Sequence, residues 1–125
     1  MRKIVIIEDV EDNRELLYYL LRDEFKVTRF SNGEEALRHF GVETPDLIIV
    51  DISLPGMDGV EVLKRVRQHE DLRLLPLLAL TAHAMAGDRE KYLAVGFDEY
   101  ASKPIVDLDD FVGIVRRLAS RNEHS

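Results

Sequence analysis

Short, uninterrupted apolar runs alternating with longer amphipathic stretches constrain this chain more than any other feature. The runs are Ile4–Ile7, a weaker Val27–Phe30, Leu47–Val50, Leu77–Leu80 and a short one near Tyr100. Three of them are apolar at every position instead of every second one, the pattern of strands covered on both faces, as in a parallel sheet. Between them the apolar spacing predicts helices over 12–24, 33–40, 59–69, 87–95 and 107–119. Asp12 followed by Glu15 reads as a capping box, and Asp58 and Asp107 read as N-caps. Asn32-Gly33 and Pro55-Gly56 mark turns, while Pro45 and Pro76 stand just ahead of strands. Five strand-then-helix units in succession predict an α/β domain with a central parallel sheet and helices on both of its sides.

The chain has 125 residues, the size of one domain. It reads as a single unit over 1–125, with a core over about 3–119 and a short tail at 120–125. The Met1 start and that short tail predict a free-standing protein over a module cut from a larger sensor. Lys and Arg number 17 against 24 Asp and Glu, a formal charge of −7, which argues against direct nucleic-acid binding and against anionic membranes. The absence of cysteine excludes disulfides, thiolate catalysis and cysteine-held metals. No apolar run approaches the roughly 20 residues of a membrane span, and the apolar stretch before Glu8 is too short for a signal peptide. A cytoplasmic location is expected.

In open parallel sheets, ligands gather at the carboxyl ends of the strands. Here the first strand runs out into Glu8-Asp9, the third into Asp51, the fourth into Thr81 and the fifth into Lys103-Pro104. Taken singly, each acid is an ordinary turn former or helix cap. Jointly, three acids, a hydroxyl and an amine at one rim need another explanation. Carboxylates about 5 Å apart repel by on the order of 3 kcal/mol per pair at an effective dielectric near 20. A hard divalent cation together with Lys103 relieves that repulsion, and oxygen ligands suit magnesium. Glu8, Asp9 and Asp51 therefore read as a magnesium site, completed by the backbone carbonyl of Ser53, with manganese as an alternative ion. Such a site suits phosphoryl transfer, with Asp51 attacking phosphorus to form an acyl phosphate. Lys103 and Thr81 would hold the phosphoryl oxygens.

The same residues carry a resemblance. Ile4-Val5-Ile6-Ile7-Glu8-Asp9, Asp51-Ile52-Ser53-Leu54-Pro55-Gly56-Met57-Asp58-Gly59, Ala79-Leu80-Thr81-Ala82 and Tyr100-Ala101-Ser102-Lys103-Pro104 resemble, in order and spacing, the receiver domain of two-component response regulators. The likeness spans about residues 3–119. It implies the flavodoxin-like receiver fold, a five-stranded parallel sheet in order 2-1-3-4-5 flanked by five helices. It also implies Asp51 as phosphoacceptor, Glu8 and Asp9 as metal acids, Thr81 as the switch hydroxyl, Tyr100 as the switch aromatic, and a cis bond before Pro104. Glu8 stands where the family more often has Asp. Ser53 and His83 fall at positions that tune phosphoryl lifetime in the family.

The phosphoryl group would then bias a pre-existing two-state equilibrium through Thr81 and Tyr100. In the first helix Leu16, Leu17, Leu20 and Leu21 read as the core-facing stripe. Tyr18 and Tyr19 beside it read as a docking surface for a sensor histidine kinase or histidine phosphotransfer protein; a downstream protein target is also implied. The chain is expected to catalyse only its own phosphorylation and dephosphorylation. A haloacid-dehalogenase-type phosphatase needs a second acid two residues after the nucleophile, where this chain has Ser53. A flavodoxin-like electron carrier needs a Ser/Thr/Gly-rich phosphate loop, where this chain has Glu8-Asp9-Val10-Glu11-Asp12.

Overall fold

The computed structural model describes residues 1–82 and 84–122, so His83 lies outside the described residues. The apolar runs form β1 (Lys3–Ile7), β2 (Lys26–Phe30), β3 (Leu47–Asp51), β4 (Leu77–Thr81) and β5 (Glu99–Ser102). Between and after them lie α1 (Glu11–Leu21), α2 (Gly33–Phe40), α3 (Gly59–Gln68), α4 (Asp88–Val95) and α5 (Leu108–Ala119). Every strand pairing is parallel, and the sheet order is β2-β1-β3-β4-β5.

The uninterrupted runs have a simple cause. Val5 and Ile7, Ile48 and Val50, and Leu77 and Ala79 face one core, with Phe40, Val62, Leu63, Val66 and Phe97. Their neighbours Ile4 and Ile6, Leu47 and Ile49, and Leu78 and Leu80 face a second core, with Leu17, Leu21, Phe111, Val115 and Leu118. A strand that alternates its side chains between two cores has no polar face to show. The edge strands β2 and β5 are only partly buried, which is why their runs are weak in the sequence.

Three helix starts are capped by side chains: Asn32 accepts from Glu35 N, Asp58 from Glu61 N and Asp107 from Asp110 N, each at 2.9 Å. The capping box expected at Asp12 and Glu15 does not form. The N-cap of α1 is Val10, which has no side-chain cap, and Asp12 lies within the first turn. Glu15 instead takes both its oxygens to Arg29 of β2, at 2.5 and 2.7 Å. The helix also stops at Leu21, three residues short of the expected end. Leu16 departs from the expected stripe. Successive helical residues are about 100° apart, so with α1 packed through Leu17 and Leu21, Leu16 is turned out and 52% exposed.

At the amino ends of the strands, Asp98 gathers several segments. Its Oδ2 accepts from Leu77 N at 2.8 Å and from Arg67 at 3.1 Å, while Oδ1 pairs with Arg121 just after α5. No helix among the described residues is long and apolar enough to cross a membrane.

Candidate functional site

β1 and β3 stop at adjacent points of one rim. Glu8 follows β1, and Asp51 is the last residue of β3. Glu8 is 0% exposed and Asp51 3%, two buried acids beside the exposed Asp9. One carboxylate oxygen from each of Glu8, Asp9 and Asp51 lies within 4.8 Å of the other two. From the far side of the rim, Lys103 Nζ donates to Glu8 Oε1 at 2.7 Å and to Asp51 Oδ2 at 2.8 Å. The Lys103–Pro104 bond beside it is cis.

The backbone around Asp51 is equally close. Ser53 N donates to Asp51 Oδ1 at 2.9 Å. Gly59 opens α3 against the end of β3, and a Cβ there would come within 2.8 Å of both the Asp51 carbonyl oxygen and Ile52 Cα. Only glycine lets the helix begin at this distance. Arg14 from α1 donates to the Glu8 carbonyl at 2.9 Å and braces the first metal-type acid from behind. Thr81 ends β4 beside this site, 6% exposed, and its carbonyl accepts from Lys103 N at 2.8 Å.

The charges are unequally held. Burial, and then Asp51, push the Glu8 carboxyl up to about 7, with Lys103 opposing. Burial acts upward on Asp51 too, but the nearby Glu8, Lys103 and the Ser53 amide outweigh it and leave the carboxyl below its ordinary value. Lys103 loses some affinity for its proton by burial and regains more from Asp51 and Glu8, so it stays charged. The arrangement is an anionic Asp51 beside an ammonium, with Glu8 the acid that carries a proton near neutrality. Glu8 Oε2 is buried with no hydrogen-bond partner. Such an oxygen is satisfied by a proton or by a cation, and the three carboxylate oxygens are close enough together to hold one hard divalent ion.

A family model described as the response regulator receiver domain matches residues 4–116. The chain belongs to that family. It is 40% identical over 105 residues to the polar-differentiation response regulator DivK of Brucella anthropi, covering 83% of this chain and 85% of that protein. It is 41% identical over 104 residues to the alkaline phosphatase synthesis transcriptional regulatory protein PhoP of Bacillus subtilis, covering 82% of this chain but only 42% of PhoP. The receiver domain of the sensor histidine kinase PA1611 of Pseudomonas aeruginosa superposes with a TM-score of 0.84 at 32% identity, over 95% of this chain and 98% of that one. That structure is described with a magnesium ion coordinated in its active-site cleft. This receiver domain thus serves two-component signalling, and its Glu8, Asp9 and Asp51 form the acidic pocket of a kind in which receivers bind magnesium.

Tyr100 sits further back along β5, opposite Ala79 of β4. Its ring is half-buried against the core cluster and stacks on Tyr92 of α4. The hydroxyl is buried and has no hydrogen-bond partner, an arrangement that costs about 1–3 kcal/mol. Burial, with the Asp88 charge next, pushes its phenol above the ordinary value. Tyr18 and Tyr19 lie in the second half of α1, roughly 10 Å down the helix from its acidic start. Tyr18 is covered by the Arg29 guanidinium at 3.8 Å, and Tyr19, 56% exposed, is flanked by Arg22 at 4.6 Å. Nearer the rim, Leu16 and Asn13 line a small pocket with Lys103, Pro104 and Ile105. Sequence reasoning missed these last contacts, because a leucine at core spacing carries no sign of which flank the helix will turn outward.

Proposed function

We propose that this receiver domain accepts a phosphoryl group on Asp51 from a phosphohistidine partner and passes the signal through Thr81 and Tyr100. The observation that carries the reading is the Lys103 ammonium placed between two buried acids, 2.8 Å from Asp51 and 2.7 Å from Glu8. An ordinary buried lysine has no need of two carboxylates, whereas a site that must admit three phosphoryl oxygens needs a fixed cation beside its nucleophile.

A carboxylate oxygen of Asp51 attacks phosphorus in line with the phosphorus–nitrogen bond of the donor. That bond breaks, its electron pair stays on the imidazole nitrogen, and the acyl phosphate forms without a general base. Lys103 turns from the Asp51 carboxylate to the incoming phosphoryl oxygens. The Ser53 amide holds Asp51 in its rotamer, and the Thr81 hydroxyl donates to a phosphoryl oxygen. Glu8, Asp9, Asp51 and the Ser53 carbonyl would hold magnesium, or manganese in its place, which supplies charge neutralisation at those oxygens. Hydrolysis of the acyl phosphate at the same site returns the domain to its starting state, and no other substrate is turned over. Ser53 stands exposed at the mouth of the site, where it bears on water access.

The unit acts as one domain over residues 1–125, in the cytoplasm, between proteins. Its donor is a sensor histidine kinase or a histidine phosphotransfer protein, docked on α1 where Leu16 and Tyr19 stand exposed and Tyr18 is held by Arg29. A formal charge of −7 disfavours nucleic acid and anionic membranes as direct partners. Acetyl phosphate with magnesium should label the protein with acid-stable, hydroxylamine-labile phosphate, and Asp51→Asn should abolish the label. Full labelling of that variant would remove Asp51 from its role.

A further inference from the structure

How a change at Tyr100 reaches the surface depends on α4, the helix that buries least of itself. None of its residues is buried, whereas α1, α2, α3 and α5 each bury at least two. It is bounded by Gly87 at φ +87° and Gly96 at φ +132°, backbone conformations that side-chain-bearing residues rarely adopt. Its N-cap offers no side-chain acceptor. Its contacts with β5 include two between side chains, beside the Asp88 charge that acts on the Tyr100 phenol. One is the surface ion pair of Arg89 with Glu99 at 2.8 Å, of a kind that solvent screens. The other is the Tyr92 ring, lying 5.8 Å from that of Tyr100 at an interplanar angle of 10°. The far side of Tyr92 meets the buried Phe97 edge-on at 6.2 Å.

We infer that Tyr92 is a relay residue: stacked on Tyr100, it makes α4 follow that ring, so that reorientation of Tyr100 displaces the helix. This rests on Tyr100 acting as the switch aromatic. Two positions of the ring each hold something the other lacks. Turned in, Tyr100 keeps the stack and the core contacts but leaves its hydroxyl without a partner. Turned out, it returns the hydroxyl to water and gives up the stack. An element poised between two such arrangements is biased by a modest change at Thr81. A helix with no buried residue and a glycine at each end offers little resistance to being carried along.

Amide hydrogen exchange on the full chain, with and without acetyl phosphate and magnesium, tests the relay in three proteins. In the wild type, phosphorylation should change exchange several-fold in both β5 and α4. Tyr92→Leu keeps apolar bulk and removes the flat ring; it should be labelled at Asp51 as fully as wild type and keep the β5 response, while the α4 response is largely lost. Tyr92→Phe keeps the ring and should relay as wild type does. An α4 response undiminished in Tyr92→Leu, or lost in Tyr92→Phe, overturns the relay alone. Labelled wild-type protein whose β5 does not respond overturns the Tyr100 switch and the relay with it, and a wild type that takes no label overturns the phosphoacceptor reading beneath both.

Discussion

Replacing Glu8 by glutamine should stabilise the metal-free protein, and increasingly so as pH rises. Glu8 is 0% exposed, and its carboxyl is pushed from 4.5 to about 7. The difference, 7 − 4.5 = 2.5, at about 1.4 kcal/mol per unit, means that ionised Glu8 opposes folding by about 3 kcal/mol. The direction follows from proton counting. Between pH 4.5 and 7 the folded protein binds more protons at this site than the unfolded chain, so wild-type stability falls as pH rises through that window. Glutamine has nearly the same shape and still offers an oxygen to Lys103, but it never ionises. Allowing for coupling to Asp51, a gain of about 2 kcal/mol is expected at pH 8.5 in EDTA, roughly 7 °C in Tm for a domain of this size. Thermal unfolding at pH 5 and pH 8.5 measures it; at pH 5 the two proteins should differ by less than about 1 kcal/mol. Magnesium should narrow the gap at high pH, because the variant has lost a carboxylate ligand. A variant no more stable than wild type at pH 8.5, or a gain independent of pH, would refute the argument that Glu8 carries a buried and costly charge.

Two further outcomes follow from the packing. Gly59→Ala places a Cβ 2.8 Å from backbone atoms at the end of β3; overpacking of about 1–3 kcal/mol should exceed any helix-propensity gain of about 1 kcal/mol. Urea unfolding should report that loss, and acetyl phosphate labelling should slow as Asp51 shifts. Alanine at both Tyr18 and Tyr19 removes the rings covered by Arg29 and Arg22; transfer from a phosphorylated histidine partner should slow several-fold with acetyl phosphate labelling unchanged. Equal loss in both assays would assign the two rings to folding and not to docking.

The order of elements, the strand ends and two of the three side-chain caps were legible along the chain because each is a local matter. Apolar side chains at every strand position mark burial on both faces, and an aspartate at a helix start caps the amides next to it. From those strand ends alone, Glu8, Asp51, Thr81 and Lys103 come to one rim. Other features depended on which strands lie side by side and how each helix is rotated on the sheet. The contact of Lys103 with Glu8 joins residues 95 apart in sequence, and burial together with the neighbouring Asp51 raises Glu8 to about 7. The outward turn of Leu16, the use of Glu15 by Arg29 in place of a capping box, the gathering at Asp98 and the Tyr92–Tyr100 stack have the same origin. Periodicity reports how much of a residue will be covered, because solvent exclusion depends on its own element's faces. Which group covers it, and at what distance, is a property of neighbouring elements, so the partners that set charge and movement here arise only in three dimensions.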